Sequence, residues 1–510
     1  MEVVGRSLVR KRVRALVAVA GVVVAAAVLT PVAAAPGEQP GYRRLVELES
    51  ARTFSDGLTA ALASRDAGLA GRAALALGRT EDARAAGPLK NATAARDVSL
   101  RALAVYGYGL LAAKNHIDVR TVALALRDRA APVRLTAVDA AWRAQAGASP
   151  GAPALDRPLL VLTAGDRDPI VRARAATALV GWDKAADREM VAERLAAAFA
   201  RERAATVRWH IAWTLRRGFA TETPATTVRA GFADRNELVR IQFADLVSRR
   251  KDPSVLTPLR VMLLRDPSWR VREQASESVR VLTGRKRTDQ LIAVPIAVIT
   301  PLPAAPNTES PLPRPTAPSS ESPAPLARPL ARDARLDRAL RASTTALLDG
   351  PMPGRHPRVR IGTTQGTIVV RLYPEWAPLT VANFLQLVDR GYFDGVRWYR
   401  VVPDFVVQTG GHLTGKPDND VETVNYTLPS EENPLEQRSG VISMGLDYTT
   451  GKNAHAKRDS ANVEFYVTIS PQLHLDRDFT VFGEVESGFS TLGRLLERDR
   501  MTQVVRLPDD

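Results

Sequence analysis

Apolar positions change their period partway along this chain. Between about residue 42 and residue 285 they recur at helical spacing, as alanines and leucines following a repeated pair of an apolar residue and an arginine. The pairs are Leu100-Arg101, Val133-Arg134, Val171-Arg172, Val207-Arg208, Val239-Arg240 and Val271-Arg272. The gaps between the arginines are 33, 38, 36, 32 and 32 residues, and Arg72 extends the series one step earlier. A period in the thirties predicts stacked helix pairs, because one pair alone cannot bury its apolar stripe. Beyond residue 355 the pattern changes. Val359 to Tyr373 and Trp398 to Gln408 are rich in β-branched and aromatic residues bounded by Gly and Pro, and read as strands. Gly440 to Met444, Val463 to Ile469 and Thr480 to Val485 are further strand candidates, and Thr380 to Arg390 reads as a helix ended by Gly391.

The helical units read alike. Asp166-Arg167-Asp168-Pro169-Ile170-Val171-Arg172 leads into Ala175, Ala176 and Leu179, and Asp266-Pro267-Ser268-Trp269-Arg270-Val271-Arg272 leads into Ala275 and Val279. Asp suits the cap of the incoming helix and Pro its first turn, while the alanines allow neighbouring helices to approach closely. The region, residues 42–290, resembles HEAT or HEAT-like repeats, about seven in number, and the resemblance implies a protein-binding scaffold. The repeated arginine is expected to bond the acidic residue of its own or the next turn. Trp142, Trp209, Trp213 and Trp269 are expected to be packed within the solenoid.

Two segments fit neither period. Residues 1–34 run from Arg6, Arg10, Lys11, Arg12 and Arg14 through an apolar stretch to small residues ending near Ala34, the order of a secretory signal. With about 18 apolar residues it also approaches a membrane anchor in length. Either outcome exports the rest of the chain, leaving it periplasmic, extracytoplasmic or anchored to the membrane. Residues 295–332 are proline-rich and should form an extended connector, whose thirty residues from Pro301 to Leu330 could span roughly 90 Å at about 3.1 Å per residue. A short amphipathic helix is expected from Arg332 to Leu348.

A chain of 510 residues is too long for one core. Its formal charge is +15, yet from Arg358 to Asp510 there are 16 Lys/Arg against 21 Asp/Glu, so the excess lies in the helical half. An export signal takes the chain away from nucleic acid, and no nucleic-acid partner is expected. There is no cysteine, which excludes disulfides and thiolate chemistry. The six histidines show no ligand spacing, so neither a metal nor another cofactor is expected.

The chemistry lies in Trp398-Tyr399-Arg400-Val401-Val402-Pro403-Asp404-Phe405-Val406-Val407-Gln408, which sets one permanent cation and one amide among apolar side chains with no nucleophile nearby. Ala377-Pro378-Leu379-Thr380-Val381-Ala382-Asn383-Phe384 precedes it, and Ser443-Met444-Gly445, Phe465-Tyr466-Val467, Leu475-Asp476 and Val481-Phe482-Gly483 follow in order. Together these resemble the cyclophilin family of peptidyl-prolyl isomerases over roughly residues 355–506. The resemblance implies a closed antiparallel β-barrel with flanking helices behind the all-α solenoid, acting on proline-containing protein or peptide substrates. It makes Arg400 the principal catalytic residue, with Phe405 and Gln408 beside it. Val406, Met444, Gly445, Glu464, Tyr466, His474, Leu475 and Phe479 would bind substrate.

Simple strand alternation puts Arg400 and Gln408 on one face and Phe405 on the other, unless Pro403-Asp404 resets the register. The chain departs from the family pattern: Tyr399 stands where histidine is common, Glu464 where glutamine is usual, His474 where tryptophan is frequent, and Phe479 where histidine or tyrosine is. Tyr448 to Lys457 is longer and more basic than the pattern. The first expectation is an exported isomerase whose helical half recruits a protein partner; the alternative is a cyclophilin-like binding protein that has lost turnover.

Overall fold

The computed structural model describes residues 39–114, 117–284, 356–402, 405–411, 426–449 and 456–508. The leader at 1–34, the connector at 295–332, the helix expected at 332–348, Pro403, Asp404 and residues 450–455 lie outside them. The chain divides into two compact units, residues 1–158 with 327–510 and residues 159–326.

The first unit opens with helices α1 (Gln39–Ser50), α2 (Asp56–Leu62), α3 (Ala67–Arg79), α4 (Ala86–Ala92), α5 (Val98–Leu110), α6 (Val119–Ala125) and α7 (Ala131–Ala146). Asp66, Asp97 and Asp118 each cap the following helix, accepting backbone N–H groups. Helices α3, α5 and α7 stack side by side. A Cβ on Gly78 would lie 2.5 Å from the Gly107 Cα, so α3 and α5 touch backbone to backbone, closer than alanine would allow. Arg101 donates to both carboxylate oxygens of Asp128 and, through Nη1, to the Ala95 and Arg96 carbonyls.

In the second unit the chain continues through α8 (Asp156–Gly165), α9 (Pro169–Ala178), α10 (Arg188–Arg201), α11 (Ala205–Gly218), α12 (Ala225–Phe232), α13 (Glu237–Arg250), α14 (Leu256–Arg265) and α15 (Trp269–Thr283). The arginine pattern repeats: Arg172 grips Glu202, Arg208 grips Asp234 and Arg240 grips Asp266, each through Nε and Nη2. In each case Nη1 turns back to carbonyls of its own preceding turn. The acid therefore comes from the next unit, 26 to 30 residues on. Trp209 and Trp213 are buried, but Trp269 is 62% exposed. It opens α15 two residues before buried Val271, about 200° around the helix, and so faces away from the packed side.

The remainder of the first unit is a curled antiparallel sheet with strands β1 (Arg358–Thr363), β2 (Gly366–Leu372), β3 (Arg400–Val401), β4 (Val406–Thr409), β5 (Val441–Met444), β6 (Phe465–Thr468), β7 (Val481–Ser487) and β8 (Met501–Arg506). Their spatial order is β3-β4-β6-β5-β7-β2-β1-β8. The expected closure is reduced to one bridge, Arg397 to Arg500, flanked by hydrogen bonds such as Trp398 N–H to the Asp499 carbonyl at 2.8 Å. Helix α16 (Pro378–Asp389) and the short α17 (Phe489–Leu492) accompany the sheet. Phe384 of α16 packs against Phe393, Phe465 and Phe482 at 5.1 to 5.4 Å between ring centroids.

Helix α16 has proline in its first turn and Ala377, which offers no capping side chain, before it. The buried Glu431 carboxylate supplies the cap instead, accepting from Leu379 N–H at 3.2 Å and Thr380 N–H at 2.9 Å. The first helices and the sheet share a buried ionic hub. Glu49 of α1 binds both Arg72 and Arg79 of α3, and Arg79 also donates to the carbonyls of Trp376 and Glu432 at 2.7 to 3.0 Å. Burial alone would raise the Glu49 carboxyl, but the two guanidiniums outweigh it and hold it below its ordinary value. Around this hub Arg458 pairs with Glu81 and Glu432, and Arg52 with Asp459.

Candidate active site

The run from Trp398 to Gln408 folds as a hairpin rather than one strand. Val402 N–H bonds the Val406 carbonyl at 3.0 Å and Phe405 N–H bonds the Val402 carbonyl at 3.1 Å, so β3 and β4 pair with Arg400 directly opposite Gln408. The register continues across the sheet: Gln408 faces Tyr466 on β6, and Tyr466 faces Ser443 on β5. Arg400, Gln408, Tyr466 and Ser443 thus form one cross-strand row, with side chains on a common side of the pleat. Phe405 precedes β4 and escapes its alternation. Its ring lies 5.2 Å from the Arg400 guanidinium carbon and packs against the core cluster containing Val406, Tyr466, Leu475 and Phe479.

Arg400 is exposed, with its guanidinium held from two sides. Nη1 donates to Gln408 Oε1 at 3.2 Å, and the Phe405 face supplies a cation–π contact. Gln408 in turn donates through Nε2 to Glu464 Oε2 at 3.3 Å. The Arg400 guanidinium donates and cannot accept, so it fixes which way the Gln408 amide faces. Gly445 makes room for this pair: a Cβ there would stand 3.2 Å from Glu464 Oε2 and 3.4 Å from Gln408 Nε2. Burial and the neighbouring Glu464 carboxylate push the Tyr399 phenol far above its ordinary value, which keeps it a neutral hydroxyl. Burial does the same to Tyr466.

Beside the row lies an apolar patch. Phe479 meets Tyr466 edge-on at 5.7 Å, and His474, exposed on a short 3-10 turn Leu473–Leu475, stacks on Phe405 at 5.5 Å with 17° between the rings. Met444 does not join them. It pairs with Phe465, whose ring packs with Phe384, Phe393 and Trp398, so Met444 belongs to the inward row and backs the site without lining it. Tyr448, 56% exposed and tilted on Phe479 at 6.4 Å, is a site neighbour that the sequence pattern did not single out. The pairing of two departures, Tyr399 and Glu464, was equally unmarked, since 65 residues separate them.

These groups can hold a neutral polar group. A fixed cation and a fixed amide stand at the edge of an apolar patch. Among the described residues no group of three or more His, Cys, Asp or Glu could hold a metal, and no helix is long and apolar enough to cross a membrane.

A model of the cyclophilin-type peptidyl-prolyl cis-trans isomerase family matches residues 358–507. Over 142 residues the chain is 38% identical to peptidyl-prolyl cis-trans isomerase B of Bacillus subtilis, covering 27% of this chain and 88% of that protein. Over 152 residues it is 34% identical to a peptidyl-prolyl cis-trans isomerase of Synechococcus elongatus, covering 29% and 94%. Among solved structures, a cyclophilin type peptidyl-prolyl cis-trans isomerase of Cryptosporidium parvum is 23% identical, with 30% of this chain and 99% of that chain covered and a TM-score of 0.27.

Proposed function

This chain belongs to the cyclophilin-type peptidyl-prolyl cis-trans isomerase family, and from that premise we propose that Arg400 is the principal catalytic group of a proline-bond isomerase. Rotation about an Xaa-Pro bond breaks amide resonance, with a barrier of about 18–20 kcal/mol. A rate gain of about 10⁵ corresponds to only about 7 kcal/mol of differential stabilisation, so no covalent step is needed. In the twisted state the proline nitrogen regains a lone pair. The Arg400 guanidinium, held by Gln408 and Phe405, stabilises that lone pair while the patch of Phe405, Val406, Tyr466, Leu475 and Phe479 grips the ring. Gln408 bonds the substrate backbone, with Gly445, Glu464 and His474 at the rim.

The observation that supports this reading most is the opposed Arg400 and Gln408 pair with the Phe405 ring 5.2 Å from the guanidinium. The test is Arg400→Lys, which keeps charge but loses the planar fork. A fall in kcat/KM with the melting temperature unchanged is expected; unchanged kcat/KM refutes the role.

The substrates are Xaa-Pro bonds of exported proteins, supported by the basic, apolar and small-residue order of residues 1–34; an intact Met1 on mature soluble protein would refute export. The helical half is a HEAT-like scaffold that binds a protein partner. The repeated arginine-to-acid pairing supports a repeat architecture, and failure of the full chain to retain any partner that residues 42–290 contact would refute the binding role.

A further inference from the structure

The segment from His474 to Phe479 carries three groups of the proposed proline site, and its midpoint is held by a helix that takes no part in the chemistry. Arg477 lies between Leu475 and Phe479 with φ of +77°, in the left-handed region that non-glycine residues occupy only when the surroundings hold them. Its side chain is buried against α7. Nε donates to Asp139 Oδ1 at 3.0 Å, Nη2 lies 2.8 Å from the same oxygen, and the guanidinium carbon sits 4.6 Å from the Trp142 ring centroid. The Arg477 carbonyl accepts from Arg143 Nη2 at 3.3 Å. Asp139, Trp142 and Arg143 occupy positions i, i+3 and i+4, so one face of one helix grips both the side chain and the backbone of this residue.

We propose that α7 sets the shape of the proline site through Arg477, which makes Asp139 a positioning residue for isomerisation. A buried ion pair adds little net stability over an apolar pair of the same size, and its best-attested use is to fix register. Asp139 is 2% exposed and fixes the register of the one segment that supplies both Leu475 and Phe479. Asp476, adjacent to Arg477, is tied on the other side by Gln437 N–H at 2.7 Å, so releasing Asp139 takes away the ionic anchor on the α7 edge and leaves that edge to the Arg143 bond and the Trp142 face. Arg477 can then relax from positive φ and carry His474 and Phe479 away from Phe405 and Tyr466. Because these groups grip substrate and do not stabilise the twisted bond, the loss falls on KM.

This inference rests on the assigned proline site, and the experiment separates the two. kcat and KM are measured for an Ala-Pro peptide with the full chain, Asp139→Ala, Asp139→Asn and Phe479→Ala. KM in the Asp139 variants is expected to rise by about 2- to 30-fold, the range over which residues touching no ligand shift coupling. Asn keeps the side-chain volume and one acceptor, so it remains readable if the alanine variant does not fold. A purely structural role lowers the active fraction, which reduces apparent kcat and leaves KM alone. Unchanged KM in both Asp139 variants with raised KM in Phe479→Ala overturns the positioning role alone. Unchanged KM in all three shows that the site assignment beneath it has failed, and the positioning role falls with it.

Discussion

Arg79→Ala removes the residue that ties the first helices to the sheet. Arg79 is 1% exposed, and its donors reach Glu49, the Trp376 carbonyl and, twice, the Glu432 carbonyl. Breaking a buried ion pair from one side costs about 3–5 kcal/mol, and an orphaned buried carbonyl about 1–3 kcal/mol. These terms share a site and do not add fully. Glu49 also keeps Arg72. An overall loss of about 4 kcal/mol is therefore expected, a large part of the roughly 5–15 kcal/mol that holds a domain together. Urea titration of the full chain, followed by tryptophan fluorescence, reads it as a lowered midpoint, because Trp376 is buried beside the hub. Arg84→Ala, which removes an exposed pair with Asp82, is the control and should leave the midpoint unmoved. A loss below about 1 kcal/mol for Arg79→Ala would show that the ionic hub does not couple the helices to the sheet.

Three further outcomes follow from the helices. Arg208→Ala breaks a two-bond grip on Asp234 and should cost about 1.5–3 kcal/mol by chemical denaturation; a neutral result would make the arginine series ornamental. Burial alone would raise the carboxyls of Asp128, Glu202 and Asp234, but their arginines outweigh it and hold all three below their ordinary values. Depressed folded-state values mean that folding releases protons, so this stability is present above about pH 4 and drains as pH falls through the folded values; melting at pH 7 and pH 3 should differ less in Asp234→Asn than in the parent. Gly78→Ala forces a Cβ to 2.5 Å from the Gly107 Cα and should cost about 1–3 kcal/mol, whereas Gly87→Ala, with nothing within 4 Å, should be neutral or stabilising in a melt.

Local pattern carried much of this molecule. The arginine period marked the helix pairs because Arg101, Arg172, Arg208 and Arg240 answer the same recurring need: the carbonyls of their own turn and an acid in the next unit. The spacing of Arg400 and Gln408, eight residues apart with a turn between them, placed both on one face, as the register bears out. Phe405 defied simple alternation because the hairpin takes it out of the strand. Met444 read as a site residue from its neighbours in sequence, yet the β5–β6 pairing turns it inward. Strand β8 and helix α17 carried no signal, since Met501–Arg506 alternates weakly and Phe489–Leu492 is a single turn. Least legible were the long-range ties. Nothing local in Arg79, Glu49 or Glu432 announces a hub 353 residues wide, nor does Asp139 announce Arg477, because such pairs are created only when distant surfaces meet.

We propose that a guanidinium at position 400, held by Gln408 and Phe405, stabilises the twisted proline bond. This role is tested by cis–trans exchange of an Ala-Pro peptide with the full chain and with Arg400→Ala, measured at matched folded concentration. Loss of a fixed donor that acts in the transition state predicts a fall in kcat/KM of about 10²–10³. Equal acceleration by Arg400→Ala would leave the guanidinium without a catalytic role.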